Sequence, residues 1–260
     1  MMKRRLRFGL RAVQVAPGIL VFITDNRVGD SYGISAAAKV RLLVRFAINS
    51  RGIETLRTMR EHTELARAIL SVPAKTPGIV VECGCHLGGS AVNLSLACAL
   101  AGRPLLICDS FEALPAPQGH DRAHHNPFTD HIDRYQEGRF GAPLETVEAN
   151  IRTTAISLSM CGFCERFFET GLAGLDEDIV LAFLDVDLVD SLKPCLRELW
   201  PKMSAGRRMY VDEAQSLSLI AVFLIRSWWL STWGSMRPGS SAPVRACLWP
   251  RSPGPNWALH

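Results

Sequence analysis

Acidic residues stand at the ends of apolar runs in this sequence. Ile79-Val-Val closes on Glu82, Leu105-Leu-Ile-Cys on Asp109, Ile179-Val-Leu-Ala-Phe-Leu on Asp185 and Asp187, and Met209-Tyr-Val on Asp212 and Glu213. Short apolar runs that stop abruptly read as strands buried on both faces, and parallel strands bring their C-terminal tips to one edge of the sheet. That edge is where open α/β sheets bind ligands. Acids converging there repel one another unless something positive lies between them. A hard divalent cation held by oxygen ligands meets that need, and Mg²⁺ is the expected ion. Asp109, at the tip of the second strand, suits the two hydroxyls of a ribose.

The elements that must position these acids can be read around them. After Glu82, Gly84 permits a tight turn, and Gly88-Gly89-Ser90 opens a helix carrying Ala91, Leu94, Leu96 and Ala99. With the run ending at Asp109 this makes a right-handed βαβ unit. A nucleotide-dependent oxidoreductase would explain the turn and Asp109. It would not explain the second group of acids, and Gly84-x-x-x-Gly88-Gly89 lacks the G-x-G-x-x-G spacing.

Two helices are expected ahead of this unit, Ser35–Asn49 with Ser35 as N-cap and Glu54–Leu70, forming an N-terminal helical extension over residues 1–72. The core is expected over 73–233. Within it Asp190 and Ser191 are expected to cap a helix through Leu192, Leu196 and Leu199 with Pro194 in its first turn, and Pro201–Gly206 to form a loop. Residues 234–260, rich in Pro, Gly, Ser and Arg, form a tail in which Val244–Trp249 supplies one strand of an incomplete terminal hairpin.

A polar segment, Glu112–Gly141, interrupts the core and holds His120, His124, His125 and His131. A loop of that length in a compact domain usually means function or disorder, and a lid over an acceptor with one histidine taking a proton is the expectation. No His-Glu-x-x-His spacing occurs in it and no cysteine joins it, which argues against zinc. Cys161-Gly-Phe-Cys164 has redox-motif spacing but sits deep in the chain, away from the helix start a thioredoxin-type pair needs.

Composition narrows the partners. The 29 basic and 25 acidic residues leave a net charge of +4, too small for a nucleic-acid footprint. Eight cysteines fall mostly within expected strands and helices, as small buried apolar residues in a reducing cytoplasm would. The apolar run Leu217–Leu230 contains Arg226 and is expected to be buried helix and not a membrane span. The segment after Lys3-Arg4-Arg5 is interrupted by Arg11, Gln14 and Pro17, unlike a signal peptide. The N-terminal helices are the expected interface of any homo-oligomer.

Taken together, Glu82-Cys-Gly-Cys-His-Leu-Gly-Gly-Ser90, Asp109-Ser-Phe-Glu-Ala-Leu-Pro115, Leu184-Asp-Val-Asp187 with Ser191, Pro201-Lys-Met-Ser-Ala-Gly206 and Val211-Asp-Glu213 resemble, in order, the motifs of the macrocin O-methyltransferase family. The resemblance implies a Rossmann-like, doubly wound, mostly parallel seven-stranded sheet. It implies S-adenosylmethionine as methyl donor, Mg²⁺, and a hydroxyl of a sugar or glycosylated small metabolite as acceptor. By it, Glu82, Cys83, Gly84, Gly88, Gly89 and Ser90 would wrap the amino-acid part of the cofactor, with Asp109, Ser110 and Phe111 at its ribose. Asp185, Asp212 and Glu213 would ligate the metal. Leu188 stands near the position where catechol-type enzymes carry a lysine, so the base must come from elsewhere, with Asp187, His124 and His125 as candidates. Departures also occur: Gly206-Arg207-Arg208 replaces a Gly-Gly pair, and Glu213 replaces an aspartate. A catalytically impaired relative that only binds the cofactor is therefore the other alternative.

Overall fold

The structure, a computed structural model, describes residues 17–126, 131–154, 158–212, 216–233 and 245–248. All four acid-tipped runs form strands of one sheet. They are β1 (Ile79–Cys83), β2 (Leu105–Asp109), β6 (Ile179–Leu184) and β7 (Met203–Val211), joined by β5 (Cys161–Glu165) and β8 (Arg245–Leu248). The order is β5-β2-β1-β6-β7-β8 and every neighbouring pair is parallel. The chain winds outward from β1 in one direction and from β6 in the other, so the switch point lies between these two strands. All six residues of β6 are buried, as a strand covered on both faces requires.

Helices cover both faces. On one side pack α2 (Ala36–Gly52), α3 (Met59–Leu70), α4 (Gly89–Ala101) and α5 (Leu144–Arg152); on the other, α6 (Phe168–Gly171), α7 (Val189–Leu199), α8 (Leu217–Leu224) and α9 (Arg226–Trp233). Residues 17–24 are also helical (α1). The N-terminal extension is tied to the core by the buried Arg103, whose guanidinium donates to the Tyr32 hydroxyl and to the carbonyls of Pro73, Thr76 and Gly78.

Several expected boundaries move, each for a local reason. Ser35 does cap α2, accepting from the Ala38 amide. The second helix starts at Met59 and not at Glu54, because Thr58 and Glu61 close a capping box there. Residues 54–57 are left as an irregular segment that borders the crevice at the sheet edge. The run 217–230 breaks at Ile225 into α8 and α9, with Trp229 fully buried and its indole N–H donated to Val222. No helix among the described residues is long and apolar enough to cross a membrane. Pro194 lies beyond the first turn of α7, and β7 begins at Met203, inside the stretch expected to be loop. The main sheet has six strands among the described residues, and β8 runs parallel to β7 where an antiparallel hairpin was expected.

The polar segment after β2 has its own structure. It contains a short antiparallel pair, β3 (Ala123–Asn126) and β4 (His131–Arg134), and its ends are zipped by Leu114 to Arg139 and Gly138 to Leu114 backbone bonds.

Candidate functional site

The tips of β1, β2 and β6 open into a crevice of about 840 Å³, counted out to bulk solvent, at the switch point. Its walls include Gly84, Cys85, His86, Gly89 and Ser90 after β1, Asp109 and Ser110 after β2, and Asp185 and Asp187 after β6. Residues 54–57 and Phe140, Phe167 and Phe168 close its sides. Asp212, at the tip of β7, joins from behind through Arg57.

The turn after β1 is shaped by close packing. Gly84 has φ +81°, and a Cβ there would sit 2.0 Å from the Asp185 carbonyl oxygen, so the turns after β1 and β6 touch backbone to backbone. Gly89 admits the 54–55 segment in the same way: a Cβ would lie 2.7 Å from the Glu54 carbonyl oxygen. Asp109 locks the second turn to the first, one oxygen accepting from the Cys85 amide at 2.8 Å and the other from the Phe111 amide at 2.9 Å. Four non-glycine residues hold left-handed backbone, namely His86, Phe111, Phe140 and Asp187. Three of them line the crevice and Phe111 follows the lining residue Ser110. Such strain gathers where a site is over-determined by its surroundings.

The electrostatics divide in two. Glu82 is fully buried, and neither carboxylate oxygen has a well-formed hydrogen bond among the described residues. Burial pushes its carboxyl up to about 8; the Ser90 hydroxyl works against the rise, and the charges of Asp185 and Asp109 add to it. Asp185 and Asp212 instead share a guanidinium. Arg57, 3% exposed in its side chain, is ion-paired through Nη1 with Asp212 and stands with Nε 3.5 Å from Asp185, a charge contact in which neither nitrogen makes a well-formed hydrogen bond among the described residues. The same cation, after burial itself, holds the neighbouring His62 imidazole down to about 3. His62 is a packed core residue whose Nδ1 lies 3.1 Å from the Asn93 amide nitrogen.

These donors can be tested against the groups the sequence implies. An enclosed carboxylate without a cation, beside a glycine turn and a ribose-suited Asp109, fits the ammonium and ribose ends of an adenosylated amino acid. Asp185 and Asp212 offer the oxygen donors a hard cation needs. The position between them is held by Arg57, which the sequence reading missed. Glu213, the third expected ligand, lies outside the described residues.

The lid histidines are placed elsewhere. His124 is buried, with Nε2 3.2 Å from Asp121 and its ring against Tyr135, and does not line the crevice. His125 is exposed and does not line it either. Of the three expected base candidates only Asp187 borders the crevice. His86, not singled out in the sequence, also borders it; its Nδ1 donates to the Phe140 carbonyl at 2.9 Å. Asp121 anchors the polar segment: it accepts from the Val189 and Asp190 amides and so caps α7, the role expected of Asp190 and Ser191. Burial opposes its ionisation, but the bonds from His124, Asp190 and Val189 prevail and hold its carboxyl below the ordinary range. His120 stands 3.7 Å from Asp121 and 3.6 Å from Asp190. Cys161 and Cys164 lie three apart on β5 with both thiols unbridged, and burial chiefly raises Cys161 to about 11.

Comparisons with known proteins bear on the family and the fold. The sequence pattern of the family described as Macrocin-O-methyltransferase (TylF) matches residues 50–225. A curated relative, the 8-demethyl-8-(2,3-dimethoxy-alpha-L-rhamnosyl)-tetracenomycin-C 4'-O-methyltransferase of Streptomyces olivaceus, is 29% identical over 143 residues, 53% of this chain and 53% of that protein. The chain thus spans about half the length of the curated relative it matches. Among solved structures, the O-methyltransferase NovP matches with a TM-score of 0.55 at 19% identity, over 69% of this chain and 76% of its own. The calicheamicin methyltransferase CalS11 matches with a TM-score of 0.49 at 18% identity, over 79% and 90%.

Proposed function

The chain belongs to the macrocin O-methyltransferase family, and from that membership we propose that it transfers a methyl group from S-adenosylmethionine to a hydroxyl of a sugar on a glycosylated small metabolite. The observation that carries the reading is one crevice at the switch point bordered by Asp109 and Asp185, with two buried carboxylates behind its lining: the cation-free Glu82, which interacts with Ser90, Asp109 and Asp185, and Asp212, which is tied to Asp185 through Arg57. The rhamnosyl acceptor in the name of the curated relative supports the sugar assignment.

S-adenosylmethionine supplies, when bound, a methyl group on a positively charged sulfur. Glu82 would receive the ammonium end and pass to its charged form as it does so. Asp109 would accept from the ribose hydroxyls while keeping its Cys85 and Phe111 bonds, each carboxylate oxygen having a second lone pair. Cys83, Gly84, Gly88, Gly89, Ser90, Ser110 and Phe111 complete the proposed cofactor set. Asp187 would take the acceptor proton as the new oxygen–carbon bond forms and the carbon–sulfur bond breaks; it borders the crevice, whereas His124 is committed to Asp121. Alignment of the acceptor oxygen with the methyl carbon is the main task left to the walls. Asp185 and Asp212, with Glu213, would hold Mg²⁺, which supplies a Lewis acid that eases ionisation of the hydroxyl.

We further propose a reducing, cytoplasmic setting, consistent with cysteines used as buried apolar residues. Self-association through the N-terminal helices is supported by Val40, Val44 and Ile48, which recur along α2 and are 42%, 53% and 51% exposed. An oxidoreductase would leave the β6–β7 acids without a task. Calorimetry tests the reading: S-adenosylmethionine should bind and NAD should not. Mass spectrometry should then show one methyl gained by a rhamnosylated acceptor, lost with a chelator and restored by Mg²⁺. Cofactor binding without transfer to any sugar hydroxyl would mark the chain as a binding-only relative, and NAD binding would sink the methyltransferase.

A further inference from the structure

We propose that Arg57 and a divalent cation are mutually exclusive occupants of the Asp185–Asp212 pair: the guanidinium holds the two acids when no metal is bound, and the ion enters only as Arg57 leaves. This rests on the reading that a divalent ion binds there, and it adds what guards that site. Three observations carry it. The guanidinium lies between the carboxylates, paired with Asp212 and 3.5 Å from Asp185, in the space an ion bridging both acids would need. Side-chain exposures of 3% for Arg57 and 2% for Asp212 leave little water to screen a second positive charge. The backbone at residue 57 is fixed, since its amide donates to the Thr55 hydroxyl and the next residue is the N-cap of α3. Exchange must therefore occur by rotation of the long Arg57 side chain, and Arg57 is one of the residues bordering the open crevice.

Exclusive occupancy has a thermodynamic signature. If the arginine-out form is a minor state, the apparent metal affinity is reduced by its fractional population, and the metal must weaken the hold on Arg57 by the same factor. Electron paramagnetic resonance with Mn²⁺ as probe reads the first effect on the full chain. Arg57→Gln should bind Mn²⁺ about tenfold or more tightly than the wild type, with Arg57→Lys, which cannot span both acids, in between. Side-chain ¹⁵N resonances read the second on unaltered protein. The protected Arg57 Nε signal, assigned by its absence from Arg57→Lys, should shift to an exposed position as Mg²⁺ is added, and this decides the matter alone if Arg57→Gln does not fold. Equal Mn²⁺ affinity in wild type and Arg57→Gln, or an Arg57 signal unmoved at saturating Mg²⁺, overturns exclusivity and leaves the methyltransferase reading intact. Absence of Mn²⁺ binding to every form, with S-adenosylmethionine still bound, removes the metal from the proposed function and the exclusivity with it.

Discussion

Glu82 on β1 and Asp212 beyond β7 are carboxylates at the same edge of one sheet, 0% and 2% exposed, yet their surroundings answer burial in opposite ways. Asp212 faces a guanidinium delivered from the segment ahead of α3. Glu82 faces no cation among the described residues, and burial pushes its carboxyl up to about 8. A buried acid must either be paired or keep its proton. On the proposed cofactor side the buried acid has no countercharge among the described residues, whereas the acid-pair side has one built into the chain.

The sharpest way to break this contrast is to remove one acid from the paired side. Asp212→Asn leaves the buried Arg57 with only Asp185, so unfolding by urea should show a loss of about 3–5 kcal/mol. Methyl transfer should fall at least about a hundredfold. A loss below about 1 kcal/mol would mean that the guanidinium is well solvated and the pair is no structural unit. Next comes the seam between the two sides. Gly84→Ala adds a Cβ 2.0 Å from the Asp185 carbonyl oxygen at φ +81°, and the combined strain and clash should cost about 2–5 kcal/mol. It should weaken S-adenosylmethionine and metal binding together, since one backbone contact positions both turns; an effect on the cofactor alone would show that the sides are independent.

The two sides also differ in how far they could be read from the sequence. Glu82, the glycine turn and Asp109 belong to one contiguous βαβ pattern, so their meeting at one edge follows from strand period and handedness. Asp185 and Asp212 were placed by the same logic. Arg57 was not, because no local pattern ties it to acids so far along the chain. The signal available was indirect: Thr58-x-x-Glu61 is a capping box, and it would start the helix at Met59 and free residues 54–57 for the crevice. The apolar stripe through Leu56 and Met59 carried the expected helix past that point. The cap of α7 was misplaced for a related reason. Asp190 and Ser191 have suitable side chains in the right place, but a carboxylate from a distant segment is already there. In the polar stretch, Ala123–Asn126 and His131–Arg134 lack the apolar alternation that marks a strand, so their antiparallel pairing was invisible.

Glu82→Gln sharpens the contrast from the other side. In the folded chain Glu82 keeps its proton up to about pH 8, while in the unfolded chain it loses it near 4.5. The stability it contributes is therefore fully present below about pH 4.5 and is lost as pH rises toward 8. Glu82→Gln removes that dependence and should make the cofactor-free protein up to about 3 kcal/mol more stable than wild type at pH 7. The gap should close toward pH 4.5. Cofactor affinity should fall in the variant at the same time, because the ammonium loses its partner. A flat difference between the two proteins from pH 5 to 8 would show that Glu82 is already satisfied, in the manner of Asp212.

The smallest effect concerns how the polar segment is held against the paired side. Asp121 reaches from that segment to the start of α7, where its two oxygens take the Val189 and Asp190 amides at 2.8 and 3.0 Å, and it also binds His124. Asp121→Ala removes an N-cap and leaves His124 buried without this bond, for a cost of about 1–2 kcal/mol. Asp185 and Asp187 immediately precede α7, so loosening its first turn should blur their positions and lower the rate of methyl transfer more than S-adenosylmethionine affinity. His120→Ala is the companion measurement. That side chain is half exposed and outside the crevice, so its loss should change stability by less than about 0.5 kcal/mol. If His120→Ala slowed transfer as much as Asp121→Ala, the polar segment would be supplying chemistry and not merely an anchor, and Asp187 would lose its claim to the acceptor proton.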